Sequence, residues 1–267
     1  MTSPPSTFGV GRKLPRQERR AESPEMRGGV SLWVGTEAEY SAQRPRLDPQ
    51  TLLVVHHGVS TAVGSAVRPP PAPVTVFPPN ALLEDSPAIE VWLSDRPVRT
   101  DRHSDFDVAS DGRLLFGSLR RRPGPHLEHS TEEMFSDLLA LLEGQGFPNL
   151  LRVWNLIPDI NAPGPSSQGT IERYRSFNLG RARAFETRYG VGPAEARYPA
   201  STAVGTVGDE LIVWFAAARG GGRHVENPRQ QRAYHYPPVY GPKPPSFSRA
   251  TLLPAEIAEL PFVSGTA

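Results

Sequence analysis

Leu150-Leu-Arg-Val-Trp-Asn-Leu-Ile-Pro158 is the stretch on which the reading of this chain turns. It is apolar, carries large and branched side chains, and closes on a proline that cannot donate to a ladder. Leu150 to Ile157 therefore reads as a strand. Its period of two sends Arg152 and Trp154 to one side, Val153 and Asn155 to the other. One side must tolerate a charge and the other an amide.

Helical patterns flank this strand. Upstream, Ser130 reads as an N-cap with Glu133 three residues on, and Phe135, Leu138, Leu139 and Leu142 make an apolar stripe that Gly144 or Gly146 ends. Downstream, a helix is expected from about Ile171 to Tyr189 with Thr170 as its cap. Tyr174, Phe177, Asn178, Arg181 and Phe185 recur there at helical spacing and share one face. A buried arginine needs a partner, and an ion pair of Arg181 with Glu172 or Asp159 is the structural alternative to a ligand role.

Further out, Arg113 to Leu119 follows an Asp111-Gly112 turn and reads as a strand. So do Thr51 to His57 and Ala88 to Leu93, with the linker Arg68-Pro-Pro-Pro-Ala-Pro73 between them. Asp209 to Ala217 is apolar enough for burial on both faces, and Thr202 to Val207 is expected to pair with it across a Gly208-Asp209 turn. The order strand, helix, strand, helix, strand, strand predicts an α/β fold with a mixed sheet.

The chain has 267 residues, enough for one large domain or two smaller ones, and a formal net charge of +1. That balance gives no global pull toward nucleic acid or membrane. Only two of its 29 basic residues are lysines, Lys13 and Lys243. Arginine is the better bidentate partner for carboxylates, although GC-rich coding produces the same bias. With no cysteine there is no disulfide, thiolate nucleophile or Cys-bound metal. The longest apolar run, Leu211 to Ala218, is too short to span a bilayer, and the N-terminus lacks the apolar core of a signal peptide. A soluble, cytoplasmic protein is expected, with residues 1–28, rich in Pro, Ser, Arg and Glu, disordered.

No Walker A, dinucleotide-binding or His-Glu-x-x-His motif occurs. His56 and His57 point to opposite faces of a strand, His126 and His129 lie before the first helix, and no metal site is expected. Gly58-Val-Ser60-Thr-Ala62 misses the nucleophile elbow by its last glycine. One segment stands out. From Arg219 to Arg249 six basic residues accompany one acidic residue, Glu226, in a run dense in Pro, Tyr and Gly: Asn227-Pro-Arg-Gln, Ala233-Tyr-His-Tyr-Pro, Tyr240-Gly-Pro. A stiff cationic loop of this kind suits a small anion with a flat unsaturated part; a long solvated connector is the competing reading.

The order of elements from Thr131 to Ala217 resembles one module of the Rid superfamily, with helices packed on one face of a mixed sheet. Ala200 stands where Rid deaminases carry their carboxylate-binding arginine. A closer resemblance is to the chorismatases. It rests on Arg152 to Asn161, on Glu172 to Arg181 with Ala184-Phe185, on Pro199 to Gly205, and on Glu226 to Ala250. It implies a disordered segment 1–28, an N-terminal α/β domain over 29–110 and a Rid-like module over 111–218. Over 219–267 it implies a substrate loop and the start of a second module.

The resemblance further implies cleavage of the enolpyruvyl ether of chorismate to pyruvate and a dihydroxycyclohexadienoate or 3-hydroxybenzoate, with no cofactor. Two carboxylates call for two cationic anchors: Arg223 and Arg229 first, Arg152 and Arg181 next. Tyr234 and Tyr236 would pack on the ring, and Asn155 completes the set. The family's acid is a glutamate beyond a strand that begins like Pro261-Phe-Val-Ser-Gly-Thr-Ala267. No position here matches it, and neither Glu172 nor Glu226 is put in its place. A chain cut short of its acid is thus expected, with one sheet edge unpaired. The alternatives are a non-catalytic remnant that binds a carboxylate ligand or a subunit, and a Rid-type imine hydrolase. Nucleic acid and membrane are not expected partners, and self-association is left open.

Overall fold

A computed structural model of the chain describes residues 29–57, 73–78 and 88–265. The N-terminal 28 residues, the linker at 68–72 and the Gly58-Val-Ser60 segment lie outside the described residues. In chain order the elements are β1 (Val30–Gly35), α1 (Glu37–Leu47), β2 (Thr51–His57), β3 (Val74–Val76), β4 (Ala88–Ser94), β5 (Arg99–His103), β6 (Phe106–Ser110) and β7 (Leu114–Arg121). They continue with α2 (Leu127–Gly144), β8 (Asn149–Pro158), β9 (Pro163–Ser166), β10 (Gly169–Glu172), α3 (Arg173–Tyr189), β11 (Ala200–Thr206), β12 (Leu211–Ala218), β13 (Arg223–Val225), β14 (Ala250–Leu252) and β15 (Pro261–Val263).

The expected mixed α/β architecture is present. A six-stranded sheet runs β11-β8-β12-β7-β6-β5, and only its β11–β8 pair is parallel. Helices α2 and α3 cover one face, where Phe135, Leu138, Leu142, Phe177 and Phe185 meet Val153, Ile157, Val213 and Phe215. The other face packs on a second sheet, β1-β4-β2-β3, and on Leu253, Ile257 and Phe262 from the C-terminal segment. Helix α1 closes the outer side of that second sheet over Val54, Ile89, Val91 and Leu93. The layers therefore run helix, sheet, sheet, helices, each burying the apolar face of the next.

Three local expectations are corrected. Thr202 to Val207 does not pair with β12: β8 lies between them, parallel to β11 and antiparallel to β12. Strand β8 is buried on both faces and needs neighbours on both sides, whereas β11 is half exposed toward its end and suits an edge. Helix α2 begins at Leu127, before Ser130, whose hydroxyl instead accepts from the Gly124 amide at 2.9 Å. Thr170 lies in the β9–β10 hairpin, so α3 starts only at Arg173 and has no side-chain cap.

Close contact between α2 and α3 depends on a glycine. A Cβ on Gly180 would stand 2.0 Å from the Glu128 carbonyl oxygen. Beside it the buried Glu128 carboxylate accepts from the Ser176 hydroxyl at 2.6 Å and from the Ser167 amide, tying α2 to α3 and to the hairpin. Burial opposes its ionisation, but these hydrogen bonds prevail and hold its pKa below the usual range.

The outer edge of β11 is covered by side chains rather than by a full ladder. The Ala200 amide donates to Thr251 Oγ1 at 3.0 Å and the Ser201 amide to Ser264 Oγ at 2.7 Å. Strands β13, β14 and β15 form a small antiparallel sheet alongside. Among the described residues β15 pairs on one side only, with Val263 exposed.

Candidate functional site

Alternation along β8 and β11 builds two polar clusters, one on each face of that strand pair. Ser201 shares the helix face with Asn155 and Arg181. The Arg181 Nη1 donates to Ser201 Oγ at 3.0 Å, its Nη2 donates to the Ser246 carbonyl, and its guanidinium lies 5.4 Å from the Phe135 ring centroid. Asn155 Nδ2 donates to Ser201 Oγ at 3.1 Å and to the Thr202 carbonyl at 2.7 Å. Arg181 Nε and Asn155 Oδ1 have no partner among the described residues. The anticipated ion pair with Glu172 or Asp159 is not formed: Arg181 has no carboxylate within 4 Å among the described residues, and Glu172 pairs with Arg175 at 3.3 Å. Helix α3 turns Arg181 inward onto the sheet, where the nearest oxygens are neutral.

Arg152 occupies the opposite face. Its guanidinium stacks over Trp154 at 4.9 Å and its Nη2 donates to Thr202 Oγ1 at 2.5 Å. Trp154 stacks in turn on Trp214 at 5.7 Å, with the planes 7° apart, and meets Phe262 edge-on at 5.8 Å. Arg152 is 5% exposed, and its Nη1 is buried with no partner among the described residues. Glu90 is the carboxylate whose charge acts on it, and its oxygens are already engaged by Trp92 Nε1 at 2.5 Å and His57 Nε2 at 3.2 Å. The Gly265 amide donates to Thr202 Oγ1 at 3.0 Å, so β15 and the residues after it cover both neighbours of Arg152.

Burial pushes both guanidiniums down to about 10. For Arg152 the charge of Arg181 adds to the fall while Glu90 opposes it; for Arg181 the phenols of Tyr174 and Tyr198 oppose it. At neutral pH both remain cations in a poorly solvated interior, an arrangement that favours an anion at any unpaired N–H.

The remaining expected residues lie in the 219–250 loop. Arg223 on β13 and Arg229 beyond it are exposed, Arg229 within a turn closed by its amide on Asn227 Oδ1 at 2.9 Å. Tyr234 packs edge-on against Tyr198 at 5.5 Å under Arg232, and Tyr236 accepts from Arg249 Nη2 at 2.7 Å. The seven substrate-binding candidates therefore divide into three groups: Arg181 with Asn155, Arg152 by itself, and the loop set of Arg223, Arg229, Tyr234 and Tyr236. Glu226 also sits in this loop. It is the one carboxyl among the described residues with a raised pKa, because burial outweighs Arg249, Arg232 and His235. The hydroxyls of Ser201, Thr202, Thr251 and Ser264 escaped the sequence reading. The signal for the first two was present, since a strand laid beside β8 places them alternately on its two faces.

His56 and His57 engage different carboxylates, Glu37 at 3.1 Å and Glu90 at 3.2 Å. Among the described residues no group of three metal-binding side chains is assembled, and no helix is long and apolar enough to cross a membrane.

Comparison with known proteins places this arrangement. Residues 90–217 match the family described as chorismatase FkbO/Hyg5-like, N-terminal. The chain is 38% identical over 186 residues to a 3-hydroxybenzoate synthase of Streptomyces hygroscopicus, covering 68% of this chain and 53% of that one. A solved chorismatase structure superposes with a TM-score of 0.71 at 29% identity, over 89% of this chain and 68% of the other. The chain belongs to the chorismatase family. A chorismatase of Streptomyces rapamycinicus is 37% identical over 188 residues, covering 69% of this chain and 54% of its own length. The chain thus spans about half the length of the curated chorismatases it matches.

Proposed function

We propose that the chain acts on chorismate, releasing its enolpyruvyl group as pyruvate and leaving a dihydroxycyclohexadienoate or 3-hydroxybenzoate. The observation that carries this reading is Arg152: a buried cation with an indole stacked on it and, among the described residues, an unpartnered terminal N–H and no carboxylate partner. A ring carboxylate would take Nη1 and complete a charge-assisted hydrogen bond, with Trp154 and Phe262 flanking the ring. Entry requires the 262–265 segment to lift from Thr202. Arg223, Arg229 and Tyr234 are the candidates for the second carboxylate. Arg181 and Asn155 act on Ser201 and position β11 without touching substrate.

Cleavage of an enol ether starts with a proton on its terminal methylene carbon. The resulting oxocarbenium ion takes up water, and the hemiketal collapses to pyruvate and the ring alcohol. The route to 3-hydroxybenzoate is a fission without net water. A positioned acid typically contributes 10²–10⁴-fold, and no residue is assigned that role here. The names of the related proteins support the substrate.

The test is pyruvate release from chorismate, followed through lactate dehydrogenase, for the wild type and for Arg152→Gln. Release above spontaneous decay, falling by about 10²-fold in the variant, is expected for a lost charge-assisted contact and the acceptor it leaves unpaired. Wild-type release no faster than spontaneous decay would leave the non-catalytic, carboxylate-binding reading in its place.

A further inference from the structure

A cleft of about 300 Å³ opens at the start of β8, lined by Pro148, Asn149, Leu151, Tyr189, Arg197 and His224 among others; Leu151 directly precedes Arg152, which is not itself part of the lining. Arg197 is exposed and has no carboxylate within 4 Å among the described residues. Its guanidinium lies 5.4 Å from the Tyr189 ring centroid and its Nη1 donates to Asn149 Oδ1 at 3.4 Å. That amide is itself fixed, because Asn149 Nδ2 donates to the carbonyls of Ala218 and Arg219 at 3.3 and 2.9 Å. The cation is therefore held at the cleft by a chain of neutral contacts, and its remaining N–H groups are free to bind.

His224 supplies the second polar group. Its Nδ1 lies 2.9 Å from Thr251 Oγ1, an oxygen that already accepts from the Ala200 amide. A hydroxyl that donates to Nδ1 leaves the ring proton on Nε2. Burial, with the charge of Arg197 adding to it, lowers the His224 pKa to about 4, so the imidazole is neutral at neutral pH. The cleft thus offers one uncompensated cation, one neutral imidazole, and walls of Tyr189, Leu151 and Pro148. This volume lies at the small end of ligand sites, where a few polar groups orient a mainly apolar body.

We propose that this cleft binds a small monocarboxylate with a flat apolar body, its charge on Arg197 and its ring against Tyr189. The site is separate from Arg152 and does not depend on the enzyme reading. Calorimetric titration of the full chain with benzoate tests it, with benzamide as the uncharged counterpart. Benzoate should bind, benzamide should bind at least about tenfold more weakly, and Arg197→Gln should weaken benzoate by a similar factor, as expected for one charge-assisted contact. Arg197 is at the surface, so the variant should fold as the wild type does. Absence of benzoate binding, equal binding of benzamide, or benzoate binding unchanged in Arg197→Gln would each overturn the proposal. Loss in Arg152→Gln but not in Arg197→Gln would move the ligand to the sheet face and overturn it as well.

Discussion

The two faces of the β8–β11 pair each bury an arginine, and the fold treats the two differently. On the helix face Arg181 bridges two segments far apart in sequence, β11 through Ser201 and the approach to β14 through Ser246. Phe135 covers it, and α2 and α3 close tightly at Gly180 and Glu128. On the opposite face Arg152 makes a single hydrogen bond, to Thr202, and keeps a terminal N–H unpartnered under residues 262–265. Neither has a carboxylate partner among the described residues, and each keeps one buried N–H unpartnered, Nε in Arg181 and Nη1 in Arg152, so neither burial nor an unused donor by itself separates the two. The difference lies in their surroundings: Arg181 ties two distant segments together, whereas Arg152 lies under residues 262–265, and the ligand role proposed for Arg152 rests on that contrast.

The difference can be broken by stability measurements. Arg181→Ala should cost about 3–5 kcal/mol in urea unfolding, because it opens a cavity and frees two segments. Arg152→Ala should cost about 1–2 kcal/mol, having one hydrogen bond to lose. Equal costs would end the distinction. Gly180→Ala forces a methyl into the Glu128 carbonyl and should destabilise by roughly 3 kcal/mol, with no counterpart on the other face.

Smaller effects sharpen the contrast. Glu128→Gln should cost about 1–2 kcal/mol at neutral pH. The folded-state pKa of Glu128 lies below the ordinary value of 4.5, so its contribution is complete above that pH and is lost as the pH falls through the folded value. The stability of wild type and variant should therefore converge in acid; a constant gap down to strongly acidic pH would contradict the hydrogen-bonded carboxylate. Thr202→Val should cost only about 1 kcal/mol or less of stability, yet weaken chorismate binding by misplacing Arg152, which a titration of the variant would reveal.

Much of the sheet was legible because it is periodic. The β8 alternation put Arg152 with Trp154 and Asn155 on the other side, and the stack of Arg152 over Trp154 bears this out. The α2 stripe and the shared face of Tyr174, Phe177, Asn178, Arg181 and Phe185 follow from the helical period in the same way, and all of these residues are buried except Tyr174, which is half-buried. The pairing of β11 was not legible. A short turn favours a hairpin, and only competition for β8, a long-range matter, inserts that strand between its two neighbours. Thr36 and Glu39 form a full capping box for α1, a local signal left unread. One partner of Arg181 was beyond reach, because Ser246 lies 65 residues away and offers only its backbone. The expectation of an internal ion pair failed for that reason.

The role proposed for Arg152 is to receive a carboxylate of the substrate. Trp154 and Trp214 stack beside it, so tryptophan fluorescence reports directly on that face. Chorismate titrated into the wild type should give a saturable change in emission, and Arg152→Gln should lose the change while remaining folded. The same saturable change in Arg152→Gln, at the same chorismate concentrations, would contradict the account.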